Sequence, residues 1–185
     1  MSRLYLSSMN DTAYRYCPSC RTELTSTERG GKPRLACPAC GFVLWRNPVP
    51  VVAGVVEREG HVILVRSIGR PPTWFGLVAG FLEQGEHPEA AVLREVHEEL
   101  GLAAKLEGMI GIYPFERLNQ IIFAYHVVVG PGEIRLDATE LDAYREVPFA
   151  KLKPWRQGTG PALHAWLKAR GYDLPLYDFG TPLDD

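Results

Sequence analysis

Three glutamates, Glu95, Glu98 and Glu99, fall within five residues of one another in the segment Arg94-Glu95-Val96-His97-Glu98-Glu99-Leu100. Like charges at i,i+4 weaken a helix, and no lysine stands four residues on to offset them. On a helical wheel turning about 100° per residue, the three carboxylates share an arc of roughly 100°. Val92, Leu93, Val96 and Leu100 fill the adjacent arc. The acids therefore emerge beside the buried face, where water is partly excluded. Arg94 and Glu86 form the one nearby charge pair. Clustered carboxylates at the edge of a core are costly unless a cation sits among them. Hard oxygen ligands of this kind suit Mg²⁺ or Mn²⁺. The competing reading is a solvated acidic face.

A second group of ligating side chains lies upstream. All four cysteines, Cys17, Cys20, Cys37 and Cys40, fall in two C-x2-C pairs separated by sixteen residues. That is zinc-ribbon spacing, in which two knuckles joined by a hairpin present four thiolates to one Zn²⁺. Disulfides or redox pairs are the alternatives. No secretory signal precedes the cysteines, which disfavours the first. The absence of a βαβ context disfavours the second. Between residues 14 and 46, Arg15, Arg21, Arg29, Lys32, Arg34 and Arg46 stand against Glu23 and Glu28. The module is mildly basic, with no aromatic stacking platform evident beside the charges, so a structural role is favoured over nucleic-acid contact.

The chain that must position these groups has 185 residues, 46% of them hydrophobic, and a net charge of −2. This accommodates one medium domain with a small appendage and excludes a basic field over the whole protein. No apolar run approaches membrane-spanning length. A cytoplasmic location is the expectation. The organisation expected is a leader over residues 1–13, the cysteine module over 14–46, a main domain over 47–172 and an acidic, proline-containing tail over 173–185. In the main domain, residues 49–59 and 61–67 read as a strand hairpin turning at Glu59-Gly60. Residues 75–80 and 121–129 read as strands, and 161–170 as a helix. Residues 88–100 read as another helix, with Pro88 at its first position and Gly101 as its stop. Mixed strands and two helices predict an α/β or α+β sandwich.

Gly80, Glu86, Arg94-Glu95-Val96, Glu98-Glu99 and Gly101-Leu102 fill every specified position of G-x5-E-x7-R-E-U-x-E-E-x-G-U, where U is aliphatic. The chain thereby resembles the Nudix hydrolases. With the ribbon, Trp45-Arg46-Asn47-Pro48 leading into the first strand, and Leu77-Val78-Ala79-Gly80-Phe81-Leu82-Glu83, it is similar to the branch related to NADH pyrophosphatase. The resemblance implies an α/β/α sandwich with a mixed sheet, plus the small zinc ribbon. It implies metal-dependent hydrolysis of the pyrophosphate bond in a nucleoside diphosphate linked to another moiety, such as NADH, FAD or ADP-ribose. Glu95 and Glu99 are then metal ligands, and Glu98 a further ligand or the base acting on water. Arg94 pairs with Glu86 and orients the glutamates. The backbone carbonyl of Ala79 or Gly80 supplies another metal oxygen, and Glu140 matches an additional glutamate found outside the motif in related enzymes. A homodimer is also implied.

Downstream, Tyr113-Pro114-Phe115 mirrors the W-P-F centre of the S-Q-P-W-P-F-P-x-S signature of NADH pyrophosphatases, but the flanking residues of that signature are missing. Tyr113 and Phe115 are candidates to stack on a base, and Trp74 and Phe75 to line the pocket. Trp45, Trp155 and Trp166 are assigned to core or interface, and the histidines form no ligand-spaced set. Two other functions compete: a sensor of a nucleotide metabolite, and a protein processing the 5′ end of RNA through ribbon contacts. A continuous basic route from ribbon to motif would favour the last.

Overall fold

The computed structural model describes residues 14–183. The expected leader, residues 1–13, lies outside the described residues. The cysteine segment carries a hairpin of β1 (Thr25–Arg29) and β2 (Lys32–Ala36), paired from Thr25↔Ala36 to Arg29↔Lys32. Its apolar cluster is small: Cys17, Leu24 and Cys37, with Leu35 and Phe42 against them.

The main domain is built on β3 (Val49–Arg58), β4 (His61–Ser67), β5 (Val78–Phe81), α1 (Pro88–Leu100), β6 (Ala104–Phe115), β7 (Gln120–Val129), β8 (Leu141–Pro148) and α2 (Gly160–Lys168). The sheet runs β6-β7-β3-β4-β8, with β5 also on β3. Only β3 and β7 are parallel; the other pairs are antiparallel. On its side away from β7, β3 is shared. Val51 to Gly54 pair with β5, while Val56 to Arg58 pair with β4. The sheet therefore forks along β3.

Both faces of β3 are covered, which is why it reads as a nearly unbroken apolar run rather than an alternating one. Val52 and Val56 join Ala91, Val92, Val96 and Leu100 of α1 in one core. Val55 joins Leu163, Trp166 and Leu167 of α2 in another. The result is the α/β/α sandwich with a mixed sheet that the sequence implies. Burying each such Val or Leu is worth about 1.5–3 kcal/mol, so α1 is fixed chiefly by Val92, Val96 and Leu100 at i, i+4 and i+8. Pro88 opens α1, and Gly101, at φ +68°, closes it by donating its amide to the His97 carbonyl at 2.9 Å.

Several elements differ from the sequence reading. β5 starts at Val78 rather than residue 75, because Gly76 makes only an isolated bridge to Val65. β6 and β8 are strands that the sequence left unassigned. β6 is an edge strand with register shifts at Leu106/Gly108 and Met109/Gly111, and these shifts break its period-two signal. β8 has exposed charged positions and buries only Leu141 and Val147 fully. Residues 173–183 fold back on the domain, with Tyr177 bridging Trp155. No described helix is long and apolar enough to cross a membrane.

Candidate active site

The carboxylates are split by depth. Glu95 and Glu99 are buried, 9% and 5% exposed. Glu98 lies on the outer side of α1 with 54% of its side chain exposed. The wheel placed the three in one arc, but the packing of α1 against β5 decides which two go inward. Glu95 lies directly over Gly80: a Cβ on Gly80 would come within 2.1 Å of the Glu95 carboxyl. Any side chain there would evict Glu95, so the glycine of the motif is fixed by this close approach.

Arg94 ties the arrangement together. Its Nε and Nη2 reach the two oxygens of Glu86 at 2.8 and 3.0 Å. Its Nη1 donates to Glu95 at 2.7 Å and to Glu98 at 2.8 Å, and Nη2 also donates to the Phe81 carbonyl at 3.2 Å. These contacts engage all five N–H bonds of the guanidinium. Glu86 also accepts from the Glu83 amide at 3.2 Å, which fixes the loop before α1. Hydrogen bonding to Arg94 holds the Glu86 carboxyl below its usual range.

Glu99 lies beyond the reach of this clamp. Its Oε2 is buried with no partner. Burial first, then the charges of Glu95 and Glu140, push its carboxyl well above the ordinary value. Glu95 is also pushed up by burial, against the pull of Arg94. Glu140 thus comes close enough to both to act on them. It is half-buried, in a turn where the Glu140 and Leu141 amides donate to the Asp137 carbonyl at 3.1 and 2.9 Å. The Asp137 amide donates to the Glu99 carbonyl, and the Arg135 amide to the Leu100 carbonyl, at 3.3 and 2.9 Å. These bonds strap the turn across the end of α1. A buried, orphaned carboxylate oxygen that feels the charge of two further carboxylates is the environment that a hard divalent cation relieves, and oxygen donors suit Mg²⁺ or Mn²⁺; among the described residues, however, only the four cysteines bring their ligand atoms within 4.8 Å of one another.

Glu99 and Ala79 line a cleft of about 490 Å³. Its apolar walls come from both sides of the sheet's fork, Val51 and Ile122 on one and Val65 and Leu141 on the other. Trp74 and Phe115, both candidates from the sequence, line it as well. Phe75 and Tyr113 do not. Phe75 packs into the α2-side core, with Arg66 and Arg145 over its ring at 5.6 and 5.1 Å. Tyr113 packs against Val51, Ala53 and Ile122, and burial raises its phenol. Sequence reasoning missed Arg70, Arg117, Gln120, Arg156 and Phe179, which also line the cleft, and assigned Trp155, another lining residue, to core or interface. Only Phe179, an aromatic in a polar tail, carried a visible signal.

In the ribbon the Cys17 and Cys40 sulfurs are 3.5 Å apart and those of Cys20 and Cys37 3.4 Å. The thiols are free, and all four sulfurs lie within 4.8 Å of one another. A tetrahedral zinc with bonds of about 2.3 Å needs sulfurs about 3.8 Å apart, so the cluster fits Zn²⁺. Hydrogen bonding with Thr22, side chain first and then backbone, pulls Cys20 down to about 6. At Cys40 the Phe42 backbone works in the same direction, but the three neighbouring sulfurs outweigh it and push the thiol up to about 12. Contrary to the sequence reading, aromatics do stand beside the basic residues here. Arg15 lies over exposed Tyr16 at 5.4 Å and Arg34 over Trp45 at 5.0 Å. Trp45 itself is 49% exposed and not a core residue.

Residues 46–166 match the family model described as NUDIX domain. The chain is 29% identical over 164 residues to the NAD-capped RNA hydrolase NudC of Stutzerimonas stutzeri, a match covering 89% of this chain and 56% of that protein. It is 32% identical over 110 residues to the ADP-ribose pyrophosphatase of Methanocaldococcus jannaschii, covering 56% of this chain and 65% of that one. The chain thus spans between half and two thirds of the length of these curated relatives. Among solved structures, a NUDIX hydrolase from Nitrosomonas europaea shares the fold with a TM-score of 0.72 at 21% identity, covering 89% of this chain and 96% of that one.

Proposed function

The chain belongs to the Nudix family, and from that premise we propose that it hydrolyses the pyrophosphate bond of a nucleoside diphosphate linked to a second moiety, with NADH, FAD and ADP-ribose as the substrate class. The observation that carries this reading is Glu99: a buried carboxylate with an unpartnered oxygen, beside Glu95 and Glu140, lining a cleft that also holds aromatic rings. Two relatives carry the names NAD-capped RNA hydrolase and ADP-ribose pyrophosphatase, and both names denote compounds with an adenosine diphosphate part.

Glu95 and Glu99 would hold the divalent cations, with Glu98 as a further ligand or as acceptor of the water proton and Glu140 completing the acidic set. The Ala79 or Gly80 carbonyl would add a neutral oxygen. When bound, such cations neutralise phosphate oxygens and lower the pKa of a coordinated water. The contribution of the protein itself is positional. Arg94, anchored by Glu86 and the Phe81 carbonyl, fixes the Glu95 and Glu98 carboxylates. Gly80 lets the strand lie against Glu95. Arg70, Arg117 and Arg156 give the cleft cationic groups for a polyanion, and Trp74 and Phe115 give it surfaces for a ring. Four thiols would hold a structural Zn²⁺ in the ribbon.

A second reading, action on the capped 5′ end of an RNA, is favoured by one observation. The Asn119 side chain donates to the carbonyls of Arg46 and Asn47 at 3.4 and 3.3 Å. It thereby joins the Arg34–Trp45 surface of the ribbon to the loop whose Arg117 lines the cleft. A hydrolysis screen with Mg²⁺ or Mn²⁺, products identified by mass, tests both. It should include NADH, NAD, FAD, ADP-ribose, nucleotide sugars, diadenosine polyphosphates, nucleoside triphosphates and an NAD-capped RNA. Two mononucleotides from a dinucleotide support the first reading. Strong preference for the capped RNA supports the second, and tight binding of these compounds without any cleavage overturns both in favour of a sensor.

A further inference from the structure

The chain after Tyr172 is a strap anchored to the rim of the cleft. The Tyr177 amide donates to the Pro154 carbonyl at 2.8 Å, and its carbonyl accepts from the Arg156 amide at 3.1 Å. Further on, the Thr181 amide and hydroxyl both return to the Asp178 carbonyl, at 3.1 and 2.8 Å. Lys153 Nζ then holds the Pro182 carbonyl at 2.7 Å. Between these anchors the turn presents Phe179. Its ring meets Trp74 at 5.2 Å and Trp155 at 5.3 Å, both edge-on. Gly180, at φ +88°, lies so close to the Trp74 indole that a Cβ would approach it to 2.4 Å.

An aromatic residue that merely closed a core would be covered by two such contacts. Phe179 remains 39% exposed and lines the same cleft as Glu99. Edge-on packing against both tryptophans leaves ring surface uncommitted. Cationic groups share this wall: Arg70 lies over Trp74 at 6.0 Å, and Arg156 is 3.8 Å from Asp178. Aromatic surface beside arginines is what a nucleotide ring and its phosphates bind.

We infer that the turn at residues 178–180 is the specificity wall of the cleft, with Phe179 and Trp74 receiving a planar heteroaromatic ring of the substrate. This rests on the pyrophosphohydrolase reading, but the ring-binding step can be measured apart from it. The full chain and its Phe179→Ala, Phe179→Trp and Gly180→Ala variants are titrated with NADH, without catalytic metal, following quenching of tryptophan fluorescence. The same proteins are then assayed with Mg²⁺ for kcat and KM on NADH and ADP-ribose. Stacking of one ring predicts a rise of about tenfold in Kd and KM for Phe179→Ala, a kcat changed less than twofold, and recovery in Phe179→Trp. A fall in kcat with Kd and KM unchanged, or a lowered melting temperature alone, means that the strap only braces the fold and overturns the inference. Gly180→Ala displaces the strap with the Phe179 ring intact, so unchanged NADH affinity there overturns it too. If the natural chain cleaves neither compound while Phe179→Ala still weakens NADH binding tenfold, the hydrolase reading fails and the ring site stands.

Discussion

Two regions of this molecule gather ligating side chains, and they differ in what surrounds them. In the ribbon, four sulfurs lie within 4.8 Å of one another, and the only other buried member of their apolar cluster is Leu24. At the acidic end of α1, Glu95, Glu99 and Glu140 rest on a core of α1 and the sheet that exists without any ion. In the first case a proposed Zn²⁺ would take the place of a hydrophobic core; in the second the core itself positions the carboxylates. Arg94 expresses the difference. It binds both oxygens of Glu86 and shares itself between Glu95 and Glu98, while Glu99 keeps a buried oxygen with no partner.

The contrast can be broken most sharply at the cysteines. Structural zinc is worth on the order of 10 kcal/mol, so Cys37→Ser should abolish zinc content and hydrogen-exchange protection over residues 14–46. The melting of the main domain should stay nearly where it was. Full zinc content in that variant would refute the ribbon assignment. Glu99→Gln should have the reverse signature, with turnover lower by about a thousandfold and the metal-free fold as stable as before or more so. Full turnover there removes Glu99 from the reaction. Gly80→Ala, which drives a Cβ into Glu95, should reduce turnover by about ten- to a hundredfold through the displaced ligand and cost about 1–3 kcal/mol of stability. Unchanged kinetics would show that Glu95 has room to move.

The smallest effect is on pH dependence. Glu99 has a folded-state pKa raised by burial and by its neighbours. The folded chain therefore binds that proton more tightly than the unfolded chain does. Its contribution is fully present below the ordinary glutamate value of 4.5 and is lost as pH rises through the raised folded value. Glu95 adds the same sign. Metal-free protein should thus lose stability as pH climbs from that point in denaturant titrations. Saturating Mg²⁺ or Glu99→Gln should flatten the slope, and an identical slope in all three would separate Glu99 from it.

Much of the site was legible because it is local. The Gly80–Leu102 motif and both C-x2-C pairs lie within short stretches, and helical periodicity located Val92, Val96 and Leu100 on the buried face. Depth was harder to read. Glu98 and Glu99 are sequence neighbours, but one is exposed and the other buried, since β5 covers only one side of that turn. Phe75 and Trp74 show the same thing: adjacent aromatics face a core and a cleft because the strand pairing starts at Val78. β6 went unread because its two register shifts interrupt alternation, and β8 because its exposed face carries charge.

The sequence by itself determined the types and spacing of the candidate ligands, the helix α1 with its proline start and glycine stop, and the layered α/β class. Each of these is written in residue types at fixed short separations, where local geometry leaves little choice. Only the tertiary structure decided which carboxylate is orphaned, which aromatics meet the cleft and where the last residues go. Those outcomes depend on the Glu140 turn being strapped to the end of α1, and Phe179 being brought onto Trp74 and Trp155, from far along the chain. No local pattern encodes such meetings, because the free energy that fixes them comes from the packing of the whole sandwich.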